Sequence, residues 1–129
     1  MSYFLTLLSA EIAIRPMTHL LHLNEHQRRR RRVYFSRQEL TQLLQLYSAR
    51  VARGEWRDYA IDHRIGAALF SVFRHSYDQP LYAIAKFPAT GNHQTDYALL
   101  SGRRNLGRSH SLSDLLRLFD RHLTLVTEG

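Results

Sequence analysis

Arginine dominates the chemistry open to this chain. All but one of its 18 basic residues are arginine, the exception being Lys86. Arg28, Arg29, Arg30, Arg31 and Arg32 are consecutive, and Arg103, Arg104 and Arg108 gather around Gly102 and Gly107. Guanidinium groups grip phosphate in a bidentate fork, so these eight residues are the candidate nucleic-acid contacts. A basic arm of this kind binds backbone phosphate without reading sequence, and neither an RNP-type nor a helix-turn-helix signature accompanies it. A second concentration of chemistry is Gly54-Glu55-Trp56-Arg57-Asp58-Tyr59. Trp, Tyr and Arg are the types most often found at binding hot spots, which makes Trp56, Arg57 and Tyr59 the candidate partner-binding residues, read as an exposed patch for a protein partner. The same segment also suits a tryptophan that closes the end of the core while Arg57 pairs with a neighbouring strand.

Catalytic and metal chemistry is harder to assemble. Gly102 to Ser109 approaches the phosphate loop G-x-x-x-x-G-K-[ST], but Arg108 stands where lysine belongs and no parallel βαβ context surrounds it. A hairpin with a basic tip accounts for the same residues. His19, His22 and His26 are spaced so that a helix would align them for zinc, yet they equally form a polar stripe beside Leu20, Leu21 and Leu23. Asp58 and Asp62, four strand residues apart, lie about 13 Å from each other, too far for the paired carboxylates of a glycosidase. His110, just ahead of a helix cap, serves either as a base or as a side chain satisfying nearby backbone. No catalytic residue, metal site or cofactor is assigned from these patterns.

The elements that must carry these residues are legible. Val33-Tyr34-Phe35 suggests a short strand. Ser36 and Glu39 form a capping box flanked by the apolar staple pair Phe35 and Leu40, and Leu40, Leu43, Leu44, Tyr47 and Val51 make one stripe at helical spacing. Helix 37–53 follows, with Arg50 and Arg53 in the last turn, where cations suit the dipole, and Gly54 in the left-handed position beyond it. Strands are expected over 56–62, 67–75, 81–87, 95–100 and 105–108, the last two forming a hairpin about Gly102-Arg103-Arg104. Ser111 caps a closing helix with the stripe Leu112, Leu115, Leu116, Phe119 and Leu123. The fold class is therefore α+β: an antiparallel meander of four to five strands packed on a long helix, in the order β-α-β-β-β-β-α, with a second helix at the C-terminus.

A chain of 129 residues with 44% hydrophobic content suits one domain with its own core. We expect an Arg-rich, partly disordered N-terminal extension over 1–32 and a single domain over 33–127. Residues Tyr3 to Ile14 are apolar but far short of the ~20 needed for a membrane span, and Arg15 follows the apolar run, the reverse of a secretory signal. Two readings of that stretch stay open: a short helix that docks on the domain, or sequence upstream of a start at Met17. No cysteine is present, so disulfides and thiol chemistry are excluded, and a cytoplasmic setting is expected. The net charge of +7 divides unevenly. Residues 1–32 hold six arginines against two glutamates, and 33–129 hold 12 basic against 9 acidic residues.

The chain resembles a small bacterial family, the domain of unknown function 2794 family. The resemblance is carried by Val33-Tyr34-Phe35, Arg37-Gln38-Glu39-Leu40, Gly54-Glu55-Trp56-Arg57-Asp58-Tyr59-Ala60-Ile61-Asp62, Phe70-Ser71-Val72-Phe73-Arg74, Pro80-Leu81-Tyr82 and His110 with its leucine-rich helix, over roughly residues 33–127. It implies a fold and a bacterial cytosolic setting, with no activity attached. The expected function is that of an uncharacterised, non-enzymatic binding or regulatory module with a protein partner. The alternatives are nucleic-acid binding through the Arg run and the basic hairpin, and a small enzyme with a pocket between sheet and helix.

Overall fold

A computed structural model describes residues 32–75 and 79–128. The element order is α1 (Arg37–Ala52), β1 (Asp58–Arg64), β2 (Ala67–Phe73), β3 (Tyr82–Phe87), β4 (Asp96–Ser101), β5 (Arg104–Ser109) and α2 (Leu112–Glu128). The five strands form one antiparallel sheet in the order β1-β2-β3-β4-β5, which is the α+β meander with its closing helix. The leading Val33–Phe35 segment makes only a bridge at Arg32↔Ile65 and a bond from the Val33 amide to the Arg64 carbonyl, 2.8 Å. Ser36 starts α1 at once, so the chain has no length left for a ladder. Val33 and Phe35 instead bury their side chains in the core.

Local chemistry sets the boundaries of α1. The Ser36 hydroxyl accepts from the Glu39 amide at 3.0 Å while the Glu39 carboxylate accepts from the Ser36 amide at 2.7 Å, the reciprocal capping box. At the other end Arg53 is the C-cap and Gly54 turns the chain at φ 75°, a conformation that costs glycine nothing. α1 and α2 run parallel over the same face of the sheet. Gln42 reaches Ser113 near their starts (3.4 Å), and Arg50 reaches Asp120 a few turns further on.

The alternation of each strand divides the sheet into two faces. Ala68, Phe70 and Val72 of β2, Ile84 of β3, and Tyr97 and Leu99 of β4 meet Leu43 of α1 and Leu112, Leu115, Phe119 and Leu123 of α2 in the main core. α2 sits close over β5: a Cβ added to Gly107 would lie 3.1 Å from a Leu118 methyl. The opposite face carries Leu69, Ala85, Phe87 and Leu100 as a separate cluster.

The stripe expected on α1 is rotated in the fold. Leu43 is fully buried, Leu40, Leu44 and Tyr47 are half-buried, and Val51 is exposed. Arg50 takes the inward position, seven residues after Leu43. A guanidinium can be tolerated there because two carboxylates meet it.

Candidate functional site

The antiparallel order fixes which residues share an end of the sheet. At one end lie the β1–β2 turn, the last residues of β3, the first of β4 and the start of α1. At the other lie the α1–β1 connection, the β2–β3 loop and the β4–β5 hairpin. Charge is handled differently at the two.

At the first end the chain's single lysine is consumed internally. Lys86 Nζ donates to Glu39 Oε1 at 2.7 Å and to the Tyr34 carbonyl at 2.8 Å, and the Tyr97 hydroxyl donates to Glu39 Oε2. Burial pushes the Glu39 carboxyl up, but bonds from Lys86, Tyr97 and the Ser36 amide, with the Lys86 charge, outweigh it and hold the group below its ordinary value. Burial, followed by the bond to Glu39 and the charge on that carboxylate, pushes the Tyr97 hydroxyl well above the usual tyrosine range. One carboxylate thus closes the helix cap and ties α1 to β3 and β4. A neutral tyrosine and a paired lysine hold the helix in place and leave little free valence for a substrate.

A second internal pair lies deeper in α1. Arg50, 2% exposed, bonds Glu55 at 2.9 Å and Asp120 at 2.5 Å, joining α1, the α1–β1 connection and α2. Burial works against the guanidinium's charge, and the bonds and charges of Asp120 and Glu55 more than offset it. Arg50 lies in the last turn as expected, and its two carboxylate partners add a role that the helix dipole alone does not imply.

Trp56 takes the second of its two expected places, closing the end of the core. It is 4% exposed, stacked on Phe119 with ring centroids 5.6 Å apart and near Tyr47 at 6.4 Å. β1 begins only at Asp58, so Trp56 does not follow the strand's alternation and turns into the core. The exposed patch read from Trp56, Arg57 and Tyr59 is therefore corrected at Trp56. Arg57 is exposed, and Tyr59, 38% exposed, rests on Phe70 and against Tyr47 at 5.6 and 4.7 Å.

At the second end five exposed arginines collect. Arg53 caps α1, Arg57 precedes β1 with its amide on the Phe73 carbonyl, Arg74 follows β2, and Arg103 and Arg104 form the tip of the β4–β5 hairpin. All five are exposed. None makes an ion pair with another described residue, and neither do the exposed Arg32, Arg37 and Arg121 elsewhere, whereas Arg50, Arg64, Lys86, Arg108 and Arg117 all do. From β1 to the β4–β5 hairpin the sheet spans roughly 15–19 Å at strand spacing, and Arg57, Arg74, Arg103 and Arg104 are distributed over that width, with Arg53 on the helix beside it.

The residues expected to bind nucleic acid are not brought together. Arg28 to Arg31 lie outside the described residues, as do His19, His22 and His26. Arg32 is at the β1–β2 corner, where its guanidinium donates to the His63 carbonyl at 2.7 Å. Arg103 and Arg104 occupy the diagonally opposite corner. Arg108 pairs with Asp96 and lies over the Phe87 ring at 5.8 Å, so its charge is answered locally. The phosphate-loop resemblance resolves as the expected hairpin, with Ser101 opposite Arg104. His110 sets Nδ1 against the Thr95 carbonyl at 3.2 Å, the backbone role. Asp58 and Asp62 share the face of β1 that looks away from the helices.

Lys86, Tyr97, Arg53 and Arg74 are not among the site residues that the sequence suggests. Only Lys86 carried a signal, as a lone lysine among arginines in an apolar strand. Among the described residues no group of three or more His, Asp or Glu is placed to hold a metal ion, and no helix is long and apolar enough to cross a membrane.

No curated protein and no solved structure matches the chain. The model of a family described as a protein of unknown function (DUF2794) matches residues 33–116, from the buried Val33 through the capping box, the five strands and the first turns of α2. The chain belongs to the DUF2794 family.

Proposed function

We propose that this domain is a non-enzymatic binding module of the cytosol whose partner is a polyanion, nucleic acid first among them, held at the arginine-lined end of the sheet. The observation that carries the reading is the contrast in pairing. Arg53, Arg57, Arg74, Arg103 and Arg104 share one end, exposed and without ion pairs among the described residues, while the buried Arg50 at that end and Lys86 at the other are spent on holding the helices in place. Unpaired surface arginines in a row repel one another, and phosphate relieves that repulsion while releasing condensed counterions. The Arg28 to Arg32 run supplies further guanidinium groups for the same ligand.

Fluorescence anisotropy with labelled DNA and RNA oligonucleotides, single-stranded and duplex, tests this on the full chain. About five phosphate contacts to a single strand give a slope of log affinity against log salt near −3.5. Changing Arg103 and Arg104 to Gln should make that slope shallower by about 1.4. Absence of binding at low salt, or a slope indifferent to the substitution, overturns the reading.

A protein partner is the second reading, favoured by Tyr59, a half-exposed ring held rigidly between Phe70 and Tyr47 beside Arg57. A pull-down comparing wild type with Tyr59→Ala and Arg57→Ala, with Trp56 left in place, should lose a partner if this surface is used. Identical partner lists would remove it.

A further inference from the structure

We infer that residues 3–14 of the chain dock intramolecularly on the sheet face opposite the two helices. That face is formed by Ala60 of β1, Ala67, Leu69, Ser71 and Phe73 of β2, Ala83, Ala85 and Phe87 of β3, and Ala98 and Leu100 of β4, as the registers place them. Both described helices pack on the other side. Yet Phe73 and Ala85 are 0% exposed, Leu69 1%, and Ser71 and Ala83 4%. Alanine and serine side chains end close to the sheet, and cross-strand neighbours about 5 Å away cannot roof them. A cover is therefore required, and no described element supplies it.

The segment Tyr-Phe-Leu-Thr-Leu-Leu-Ser-Ala-Glu-Ile-Ala-Ile of residues 3–14 has the composition such a cover needs, with nine apolar residues and one charge. Twelve residues reach about 18 Å as a helix, close to the ~20 Å length of six-residue strands. An alanine-lined floor suits this, because small side chains let a second layer approach closely. The tether is sufficient: residues 15–31 can extend by up to about 55 Å, and Arg32 is already seated at the β1–β2 corner of the same sheet. An apolar cover thus meets an apolar floor, reached from the corner at which Arg32 is held. The inference stands apart from the polyanion reading, since it concerns the other side of the sheet and the residues before the arginine run.

A single introduced thiol tests it, because the chain has no cysteine of its own. In the full-length chain carrying Ala85→Cys, reaction with a disulfide reagent should run about a hundredfold slower than for a free thiol, at every protein concentration, since access needs local opening. Adding Leu5→Glu and Leu8→Glu should restore at least about tenfold of that rate, with circular dichroism and Trp56 fluorescence unchanged. A thiol that reacts at the free rate in the otherwise unaltered chain overturns the inference, as does one that stays protected after the two glutamates are added. Protection that grows with protein concentration alongside a dimer in sedimentation would overturn it in favour of a second copy of the chain. If the glutamates unfold the domain, a Leu5→Ala and Leu8→Ala pair, expected to raise the rate by a smaller factor, decides the question.

Discussion

Arg50 and Arg53 stand three residues apart on one helix and live in opposite worlds. Arg50 is buried and answered by Glu55 and Asp120. Arg53 is exposed at the C-cap with no ion pair among the described residues, and it shares its end of the sheet with Arg57, Arg74, Arg103 and Arg104. The opposite end repeats the first pattern, with Lys86 and Tyr97 both spent on Glu39. Charge that is buried and paired serves the fold, whereas charge left exposed and unpaired is available to a partner. Chemical type does not separate the two roles, since the same side chain fills both.

Substitutions sharpen that division. Arg50→Ala should be the most damaging, costing about 3–4 kcal/mol in urea unfolding, because it removes the buried guanidinium that joins Glu55 to Asp120 and opens the α1–α2 seam. Arg53→Ala should change stability by no more than about 0.5 kcal/mol. Equal losses at the two positions would erase the distinction. Glu39→Ala removes the capping box and leaves Lys86 and Tyr97 without their acceptor, so a loss of about 2–3 kcal/mol is expected. Tyr59→Ala, which trims a half-exposed ring, should cost about 1 kcal/mol or less.

Proton linkage offers a finer test of the paired end. The Glu39 carboxyl lies below its ordinary 4.5 in the folded protein. Its contribution to stability is therefore fully present above pH 4.5 and is lost as pH falls through the lowered folded value. Glu39→Gln should flatten the acid limb of stability against pH, relative to wild type. Tyr97 is displaced the other way, so the stability it supplies is present below its ordinary 10.0 and declines as pH rises above it. Tyr97→Phe should remove that alkaline decline. The smallest effect belongs to the arginine end: Arg103→Gln with Arg104→Gln should leave the unfolding midpoint within a few tenths of a kcal/mol, while weakening oligonucleotide binding.

Much of the architecture was open to a reader of the sequence. The Ser36/Glu39 box, Gly54 and the leucine stripe of α2 are local signals, and each predicts its element because the interaction closes within one helical turn. The strands followed from alternation and from turn residues such as Gly102. What escaped was long-range. Glu39 announces a cap but not that β3 and β4 would bring Lys86 and Tyr97, 47 and 58 residues away, to the same carboxylate. Arg50 suits a helix terminus until Asp120 arrives from 70 residues downstream. Trp56 resembled a hot spot because composition cannot say which way a side chain turns two residues before a strand starts. The arginine end was half visible, since Arg57, Arg103 and Arg104 stood out, but only the meander joins them to Arg53 and Arg74.

The central claim is that the unpaired arginines at one end of the sheet form the polyanion-binding surface. Salt-dependent oligonucleotide affinity, measured on the full chain with Arg53, Arg57, Arg74, Arg103 and Arg104 all changed to Gln, tests it directly. The account predicts a fold as stable as wild type to within about 1 kcal/mol and a salt slope for single strands shallower by about 3.5. An unchanged slope in the variant, with binding abolished instead by changing Arg28 to Arg32, would contradict it and assign the affinity to the N-terminal run alone.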